Sequence, residues 1–452
     1  MSSAGPPFDP GAIEAFRYTG VEVDSDRGEL RCTYALDDAV TFEEVIDVGA
    51  GQVWTPAAHE AARLVYLLAG VSYYKAAAPG RIDLGDTPLR DGETAFLRSF
   101  YLDGLGEYAY RNDLDLSGLE IVGGADAGPP VTAEVTPGRP LIPFGGGIDS
   151  LVTVDAHTGR DTDVTLFVVD RRGDRFAAIE DAAAITGLPI RRAHRTLDPK
   201  VLRSRELGYR NGHVPVTGVI SAIAILSAVL GGHDSVVMSN EWSSSAGNLV
   251  VDGRTVNHQF SKSLAFEEAL AGVLGRAVEG GPAYHSFLRP YSELRIARRF
   301  SRLTRFHGTF RSCNRAFHID PAQRWTTWCG RCDKCCFIDL ILSPWMPRTA
   351  LEDVFGGAEP LADLTLLDTF RTLVGVGGDV KPWECVGDVD ESAAAAFLAA
   401  DREDRAETPV LRALVADLGE AARPSADDVR RLLEPLGPSH APFGLGEPDV
   451  LV

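Results

Sequence analysis

The chain has 452 residues, of which 45% are hydrophobic and 24% are charged, a balance typical of a globular protein with two or three domains. Its formal net charge of −20 argues against a general binder of nucleic acid or of an anionic membrane surface, because both partners favour a positive field. The first residues show no basic stretch followed by an apolar one, so we expect a cytoplasmic protein without a secretion signal.

Residues 1–135 are expected to form an N-terminal α+β domain. Short alternating stretches predict strands, and apolar residues at helical spacing predict helices over 59–74 and 93–112. The glycine- and proline-rich sequence GGADAGPP that follows is typical of a joint between domains. We therefore predict a separate domain here, which caps the next domain or contacts a substrate.

Residues 136–310 show a regular alternation of predicted strands and helices. The strands cover 139–144, 164–170, 189–195 and 235–240, and helical patterns begin near 149, 176 and 214. This order is typical of a parallel sheet wrapped by helices. The last helical pattern, an apolar run over 214–230, contains threonine, glycine and serine and has no flanking aromatic or cationic anchors. It is therefore predicted to be a buried helix and not a membrane span.

The sequence GGGIDS, residues 145–150, stands between the first strand and the first helix of this alternation. A glycine run in that context lets backbone N–H groups approach phosphate oxygens, and the helix N-terminus adds a partial positive charge. No GK[ST] follows, so the loop is not the common mononucleotide loop, and it lacks the spacing of the dinucleotide fingerprint. It resembles the SGGxDS loop of the PP-loop ATP pyrophosphatase superfamily, with Gly145 in place of the first serine. The alternative interpretation is a glycine-rich turn that opens an ordinary helix.

This resemblance implies an α/β fold of the adenine nucleotide alpha hydrolase-like (PP-loop) type, which cleaves ATP between its α- and β-phosphates to adenylate a substrate. Gly146 and Gly147 would cradle pyrophosphate oxygens, Ser150 would donate to them, and Asp149 would help to hold Mg²⁺. Adenine would lie against the end of the second strand, which could equally be a core strand with a polar end. The implied ATP-binding residues are Gly145, Gly146, Gly147, Asp149, Ser150, Phe167, Val168 and Asp170.

The polar stretch 239–263 follows the fourth predicted strand. In a parallel α/β sheet the ligand crevice lies outside the carboxyl ends of the strands, so a substrate loop is expected here, although a plain polar loop has the same composition. Lysine is scarce, at five residues against 39 arginines, and this scarcity favours functional roles for Lys262 and Lys381. The substrate-binding candidates from these arguments are Asn240, Glu241, Asn248, Asn257, Lys262 and Lys381.

Residues 289–315 contain eight arginines and one acid, Glu293, in an otherwise acidic chain. Four of the arginines, at positions 295, 298, 299 and 302, have the spacing of one helical face. Such a face is either solvated and paired with acids from elsewhere, or a wall that binds phosphates or carboxylates. The second interpretation makes Arg295 and Arg299 substrate-binding candidates.

The segment 311–346 is predicted to be a zinc module. Four cysteines, Cys313, Cys329, Cys332 and Cys335, have a clustering that suits tetrahedral Zn²⁺ better than disulfides in a cytosolic chain. Zinc held by four protein thiolates would be structural, because no coordination position stays open. Cys336 could replace Cys335, and an iron–sulfur cluster or a set of buried thiols without metal are alternatives. Residues 347–452 are predicted to be mainly helical.

Six stretches together extend the resemblance to a narrower family over nearly the full chain. They are LLAGVSYYKAAAP, GGGIDS, SNEWSSSAGNLV, VNHQFSKSLAFE, CGRCDKCCF and KPWECVG. They are similar to the UDP-N-acetyl-alpha-D-muramoyl-L-alanyl-L-glutamate epimerases. This resemblance implies conversion of the terminal L-glutamate of UDP-MurNAc-L-Ala-L-Glu to D-glutamate in peptidoglycan synthesis, with ATP and Mg²⁺ consumed and AMP and pyrophosphate released.

An epimerase needs a base that removes the Cα proton, and Asp149 would act on the ATP side of the reaction. The candidates for the base are His258, Lys262, His285 and Cys385.

Two other functions fit parts of the pattern. PP-loop ligases similar to 7-cyano-7-deazaguanine synthase also combine a phosphate loop with four zinc-binding cysteines, but they lack an equivalent of residues 1–130. A non-enzymatic docking protein built on the zinc module and the arginine segment is the third reading.

Overall fold

The structure is a computed structural model that describes residues 8–160, 163–251, 253–318, 320–377 and 381–446. Its strands are β1 (Phe16–Asp24), β2 (Glu29–Leu36), β3 (Val40–Asp47), β4 (Arg81–Asp83), β5 (Pro88–Leu89), β6 (Glu120–Val122), β7 (Ala125–Asp126), β8 (Val131–Thr132), β9 (Thr136–Pro143), β10 (Thr165–Asp170), β11 (Ile190–Thr196), β12 (His233–Met238), β13 (Leu249–Val251), β14 (Arg254–Val256), β15 (Val278–Glu279) and β16 (Ala283–Ser286).

Helices cover both sides of the strands and most of the C-terminal region. They are α1 (Pro56–Ala69), α2 (Val71–Tyr74), α3 (Glu93–Leu102), α4 (Gly106–Arg111), α5 (Ile148–Thr158), α6 (Ala177–Thr186), α7 (Pro199–Leu202), α8 (Ser204–Leu207), α9 (Val216–Gly231), α10 (Leu264–Ala277), α11 (Glu293–Phe300), α12 (Asp333–Leu342), α13 (Arg348–Phe355), α14 (Leu367–Leu373), α15 (Val389–Ala400), α16 (Pro409–Leu418) and α17 (Ala426–Leu433). After residue 347, all the regular elements among the described residues are helices.

Ten strands form one sheet in the order β16-β12-β9-β10-β11-β3-β2-β1-β4-β6. The first five are parallel to one another, as the alternation of strands and helices predicted. The β11–β3, β3–β2 and β2–β1 pairs are antiparallel, and β1, β4 and β6 are again parallel. Strands from both sides of residue 135 thus share a sheet, while the four-part division of the chain stays a prediction.

The predicted helix over 93–112 is divided into α3 and α4 by a turn around Gly104. A Cβ atom at Gly104 would lie 2.3 Å from the carbonyl oxygen of Phe100 and 2.7 Å from Cγ of Pro215. Because real Cβ atoms essentially never approach other atoms so closely, only glycine allows the chain to turn against Pro215 here. The periodicity identified the helical residues correctly but could not show this close tertiary approach.

The apolar run 214–230 forms the buried helix α9, as predicted. Ten of its residues are buried, and the helix packs between α1 and the sheet. Within the ranges that the structure describes, no helix has both the length and the apolar character that a bilayer crossing requires. One hydrophobic core lies around α1 and α9, and a second joins α5, α11 and α12 to the C-terminal helices.

Arg289 follows β16 and is completely buried, with 0% of its surface exposed. Its Nε donates to Glu267 at 2.9 Å, and Nη1 donates to the carbonyl oxygen of Glu241 at 2.8 Å. Nη2 donates to the carbonyl oxygen of Lys262 at 2.5 Å. A single guanidinium therefore holds two loops and one helix together at the carboxyl edge of the sheet.

We expect Arg289→Met to reduce the free energy of unfolding by about 3–5 kcal/mol, because removal of one partner leaves the buried Glu267 carboxylate without its cation. Urea unfolding followed by circular dichroism measures the change. Arg17→Met is the matched control, since the Arg17 side chain is 43% exposed beside Asp38 and such pairs contribute little. Equal effects of the two substitutions would contradict the assigned role of Arg289.

Candidate active site

The glycine loop connects β9 to α5, as predicted. Gly146 has φ +72°, and a Cβ atom there would lie 2.4 Å from the carbonyl oxygen of Ala178. Gly147 is the N-cap of α5 and offers no side chain to the first N–H groups of the helix, while Ser150 Oγ donates to the Gly147 carbonyl at 3.1 Å. A Cβ atom at Gly145 would meet nothing within 4 Å, so space does not explain why serine is missing there.

Three carboxylates meet at the carboxyl ends of three adjacent parallel strands. Asp149 follows β9 in α5, Glu241 follows β12, and Glu293 follows β16 as the first residue of α11. One oxygen from each lies within 4.8 Å of the others, and Oδ1 of Asp149 is buried without a hydrogen-bond partner. Oxygen ligands of this kind suit Mg²⁺ and similar hard cations.

The crowded carboxylates resist ionisation. Burial and the charge of Glu241 raise the pKa of Asp149 to about 7. Burial and the two neighbouring carboxylates raise the pKa of Glu293 well above its ordinary value. Lys262 and Lys334 act in the opposite direction on Asp149. The repulsion among the three carboxylates is therefore relieved only if some of them are protonated or if a further cation lies beside them. A divalent metal ion would be a chemically suitable cation.

A thiol, an imidazole and an ammonium group meet beside the carboxylates. Burial alone would raise the pKa of the Cys385 thiol, but Lys262, the hydrogen bond from His258 and the charge of Lys334 lower it to about 6. Burial opposes the charge on Lys262, yet Cys385 and Glu241 raise its pKa above the ordinary value. The thiol is thus held as a thiolate at neutral pH, a state suited to proton abstraction.

The predicted asparagines organise the loops around this group. Asn248 Nδ2 donates to the carbonyl oxygen of Pro382 at 2.8 Å, and its Oδ1 accepts from the backbone N–H of His258 at 2.8 Å. Asn257 Nδ2 donates to the carbonyl oxygen of Ser244 at 2.9 Å. Asn240 is joined to Ser286 through its backbone N–H and carbonyl oxygen. These contacts bring the segment that contains Cys385 against the loop that contains His258.

Lys381 lies on a cavity of about 1010 Å³ between the loop after β12 and the C-terminal helices. Its Nζ donates to Asp388 at 3.3 Å. The cavity wall also includes Trp242, Asn248, Glu391, Arg423 and Arg431. Asn248 and Lys381, both predicted to bind substrate, therefore line one space, whose wall also includes the sequence neighbours of Glu241 and Glu293, Trp242 and Ser292.

Arginines of the segment have partners within this chain, while a role of Arg295 and Arg299 in substrate binding stays a prediction. Arg299 Nη2 donates to Asp155 of α5 at 2.6 Å, and Arg305 donates to the other oxygen of Asp155 at 2.9 Å. Arg295 Nη2 donates to the carbonyl oxygen of Gly446 at 2.9 Å. α11 ends at Phe300, so position 302 lies beyond the helix that was expected to carry all four arginines. Arg295 thus contacts a carbonyl oxygen of this chain, and Arg299 contacts an acid of this chain.

His285 lies on β16, away from Cys385 and Lys262. Burial, followed by the neighbouring His157 and His440, lowers its pKa to about 4, and its Nε2 is buried without a partner. It borders a different cavity, of about 570 Å³, together with Glu268. His285 is therefore a buried neutral imidazole, and the structure does not bring it to the other candidate bases.

The predicted adenine contacts lie on β10, beside the glycine loop. The carbonyl oxygen of Phe167 accepts from the N–H of Phe144 at 2.8 Å, and Phe167 and Val168 are buried. Asp170, at the carboxyl end of the strand, accepts from Arg192 at 3.1 Å and is bonded to His194. A role of these residues in nucleotide binding stays a prediction.

Four charged or polar residues of this site were not among the site residues predicted from the sequence. They are Glu107, His213, Glu293 and Lys334. Two of them had a signal: Glu293 is the one acid of the arginine segment, and Lys334 is one of only five lysines. The other two had none. Glu107 lies 151 positions before its partner His258, and no local pattern marks such a pair.

Cys313, Cys329, Cys332 and Cys335 form a compact group whose sulfur atoms lie within 4.8 Å of one another. Two of the Sγ–Sγ distances are 3.5 and 3.6 Å, close to the ~3.8 Å edge of a zinc tetrahedron with bonds of about 2.3 Å. The N–H of Cys329 also donates to Sγ of Cys313 at 3.4 Å. This group fits one tetrahedral metal ion, and Cys336 is not a member of it.

A glycine loop at a helix N-terminus, a carboxylate cluster and a thiol that faces two lysines are features of an α/β enzyme. The sequence matches the MurL N-terminal domain over residues 7–287 and the MurL C-terminal domain over residues 309–429. The chain belongs to the MurL family. No solved structure matches it.

Three relatives carry the name UDP-N-acetyl-alpha-D-muramoyl-L-alanyl-L-glutamate epimerase. The protein of Xanthomonas oryzae pv. oryzae is 38% identical over 97% of this chain and 98% of its own length. The proteins of a Micromonospora species and of Salinispora tropica are each 38% identical over 95% of this chain, and over 96% and 94% of their own lengths. The family resemblance inferred from the sequence is confirmed, and epimerases are isomerases.

We expect the purified protein to hold one zinc ion per chain, and Cys335→Ala to lose it, because three thiolates do not complete the tetrahedral site. Cys336→Ala is the control, since Cys336 is buried beside the group but is not part of it. Elemental analysis of both variants measures the metal. Loss of zinc from the Cys336 variant would reverse the assignment, and visible absorbance with iron would indicate an iron–sulfur cluster.

Proposed function

We propose that this protein epimerises the terminal L-glutamate of UDP-MurNAc-L-Ala-L-Glu to D-glutamate in an ATP-dependent reaction of peptidoglycan biosynthesis. The names of its three relatives support the substrate and the epimerase activity. One observation carries the mechanism: the Cys385 thiolate lies beside a carboxylate cluster at the N-terminus of α5. A nucleotide-activated precursor and ATP as substrates are consistent with the cytoplasm as its location.

ATP serves to make the proton removable. Inversion of one stereocentre is nearly thermoneutral, so ATP is not needed to drive the equilibrium. Removal of the Cα proton next to an ionised carboxylate would place a second negative charge on the same group of atoms. In the proposed first step, a carboxylate oxygen of the glutamate attacks the α-phosphorus of ATP and displaces pyrophosphate. The product is an acyl-adenylate, whose enolate can be stabilised by cations and N–H donors.

The glycine loop and the carboxylate cluster form the proposed phosphate end of the site. The N–H groups at the start of α5 face the phosphates, and Ser150 supplies a hydroxyl, in a PP-loop arrangement. Asp149, Glu241 and Glu293 would hold Mg²⁺, whose charge offsets that of the phosphates when it is bound. Lys334, which already faces Asp149, adds a fixed positive charge at this end.

Cys385 is the proposed proton-transfer group. Its thiolate takes the Cα proton, and the electron pair of the C–H bond moves into the carbonyl group of the adenylate as an enolate. Lys262 lies next to the thiolate and can stabilise that negative charge. Return of a proton to the opposite face gives the D configuration. Water then attacks the acyl carbon, and the C–O bond to AMP breaks.

The cavity of about 1010 Å³ is our assignment for the UDP-sugar. It adjoins the cluster through Asn248 and the loop of Glu241, so a dipeptide could reach Cys385 while the nucleotide stays in the cavity. Lys381, Arg423 and Arg431 supply positive charges for the diphosphate on its wall.

We expect pyrophosphate and AMP to form from ATP and Mg²⁺ only when UDP-MurNAc-L-Ala-L-Glu is present, with D-glutamate recovered after acid hydrolysis. In deuterated water, mass spectrometry should find one solvent deuteron at the glutamate Cα. Cys385→Ser should keep pyrophosphate release but lose deuterium incorporation by about 100-fold or more, as expected for loss of a proton-transfer group. Asp149→Asn should lose both. Product that keeps only protium at Cα would rule out the deprotonation mechanism.

Gly146→Ala should abolish pyrophosphate release, because alanine at φ +72° is strained by about 1–2 kcal/mol and its Cβ atom would collide with Ala178. Gly145→Ser is the matched control in the neighbouring position. It has open space for the side chain and restores the hydroxyl of the superfamily loop, so we expect full activity. If both variants behave alike, the loop does not hold the phosphates.

A further inference from the structure

We propose that Glu107 is a positioning residue for proton transfer, which orients the His258 imidazole so that the imidazole in turn holds the Cys385 thiolate. The three residues form a carboxylate–imidazole–thiol relay that joins the N-terminal part of the chain to the reaction centre. This inference rests on the proposed role of Cys385.

The geometry of His258 fixes the order of the relay. His258 Nδ1 donates to Oε2 of Glu107 at 2.5 Å, and the same imidazole interacts with the Cys385 thiol. The backbone N–H of His258 donates to Asn248, so the main chain is held as well as the ring. A ring held through Nδ1 and through its own backbone has a restricted orientation, as in other triads where a carboxylate orients the base.

Glu107 is itself held in place. It is buried in α4, and Arg111, one turn later, donates from Nε to its other oxygen at 2.6 Å. Burial would raise the pKa of Glu107, but His258, His213 and Arg111 outweigh it and lower the pKa. The carboxylate is therefore charged when His258 is charged, and neither oxygen depends on solvent for its partner.

The charges along the relay favour an imidazolium and a thiolate. Burial would lower the pKa of His258, but its bonds to Cys385 and Glu107 raise the pKa to about 9. Cys385 is also faced by Lys262 and Lys334, which favour the thiolate, and by Asp149 and Glu384, which oppose it. Without Glu107, His258 would lose a partner that favours its charge, and Cys385 would lose part of the field that keeps it ionised.

His213 completes the surroundings of the imidazole without competing for its role. Its ring centroid lies 4.2 Å from that of His258. Burial, followed by the charge of His258, lowers the pKa of His213 to about 4, so it is neutral when His258 is charged. Lys262 and Lys75 act in the same direction on His213. The neutral ring therefore adds no positive charge beside the pair.

A metal ion held by Glu107, His213 and His258 is the competing interpretation, since their ligand atoms lie within 4.8 Å of one another. Two ligand atoms at about 2.1 Å from one tetrahedral zinc ion are about 3.4 Å apart. The 2.5 Å distance between Glu107 and His258 is shorter than that and is the distance of a direct hydrogen bond. The geometry therefore favours the relay.

The test is the titration of Cys385 in the full-length, zinc-loaded protein. Alkylation by iodoacetamide across a pH series, followed by mass spectrometry of the peptide that contains Cys385, reports the thiolate fraction without ATP or substrate. We expect a midpoint near pH 6 in the unmodified protein, from the pKa of about 6. Glu107→Gln should raise the midpoint by about one pH unit, and His258→Asn by at least as much. The double variant should move it no further than His258→Asn alone.

Glu384→Gln is the matched control, because it removes a carboxylate that opposes the Cys385 thiolate. Its midpoint should stay unchanged or fall. If the Glu107 variant does not fold, the protonation state of His258 in the unmodified protein tests the relay instead. Nitrogen-15 NMR should find His258 protonated at both nitrogens at neutral pH, with a far-downfield Nδ1 proton.

An unchanged midpoint in folded Glu107→Gln, or a neutral His258 in the spectrum, would overturn the relay. So would a second zinc equivalent that disappears in His213→Ala, since that would indicate the metal site. If the shifts are found but no epimerisation occurs, the proposed function fails and the relay stands. If epimerisation occurs without the shifts, only the relay fails.

Discussion

The burial of three carboxylates in one place is the constraint on which the rest of the site depends. Asp149, Glu241 and Glu293 would repel one another strongly in a medium that water does not screen. The chain meets this repulsion with cations from distant parts of the sequence, Lys262 and Lys334. Because Lys262 also faces Cys385, the charge that relieves the carboxylates ionises the thiol as well. In the proposed mechanism, phosphate chemistry and proton transfer would therefore be coupled through one ammonium group.

The parallel part of the fold could be predicted because its information is local. Each strand and helix over 136–240 has its own periodicity, and the glycine loop stands where the first strand ends. The same rule, that ligands bind beyond the carboxyl ends of parallel strands, selected the loop that contains Glu241 and Lys262, and the structure brings both residues to Asp149. It could not select Glu293, because β16 is a four-residue strand whose place at the edge of the sheet depends on pairing with β12.

The residues that sequence reasoning missed, or assigned differently from their observed contacts, are those whose role depends on a distant partner. The arginine face was compatible with an anion-binding wall or with pairing to acids, and Asp155 of α5 pairs with Arg299 of that face and with Arg305 beyond it. No local sequence pattern marks Glu107, because its partner His258 lies far from it in the chain. The mixed ten-stranded sheet explains how the two regions come together. Its antiparallel part places the N-terminal region, which contains Glu107, beside the parallel part of the sheet.

The group of four cysteines also affects the surroundings of Cys385, although the two lie far apart in the sequence. Lys334 stands between Cys332 and Cys335, at the start of α12, so the group of four thiols fixes the backbone on both sides of it. The ammonium group of Lys334 in turn faces Asp149, Glu293 and Cys385. A metal ion bound by all four thiolates would have no open coordination position and would take no part in bond making, yet it would determine where one positive charge lies. The requirement for a rigid four-thiolate site then follows from electrostatics, since a lysine on a mobile loop would spend its time in solvent and leave the carboxylates uncompensated.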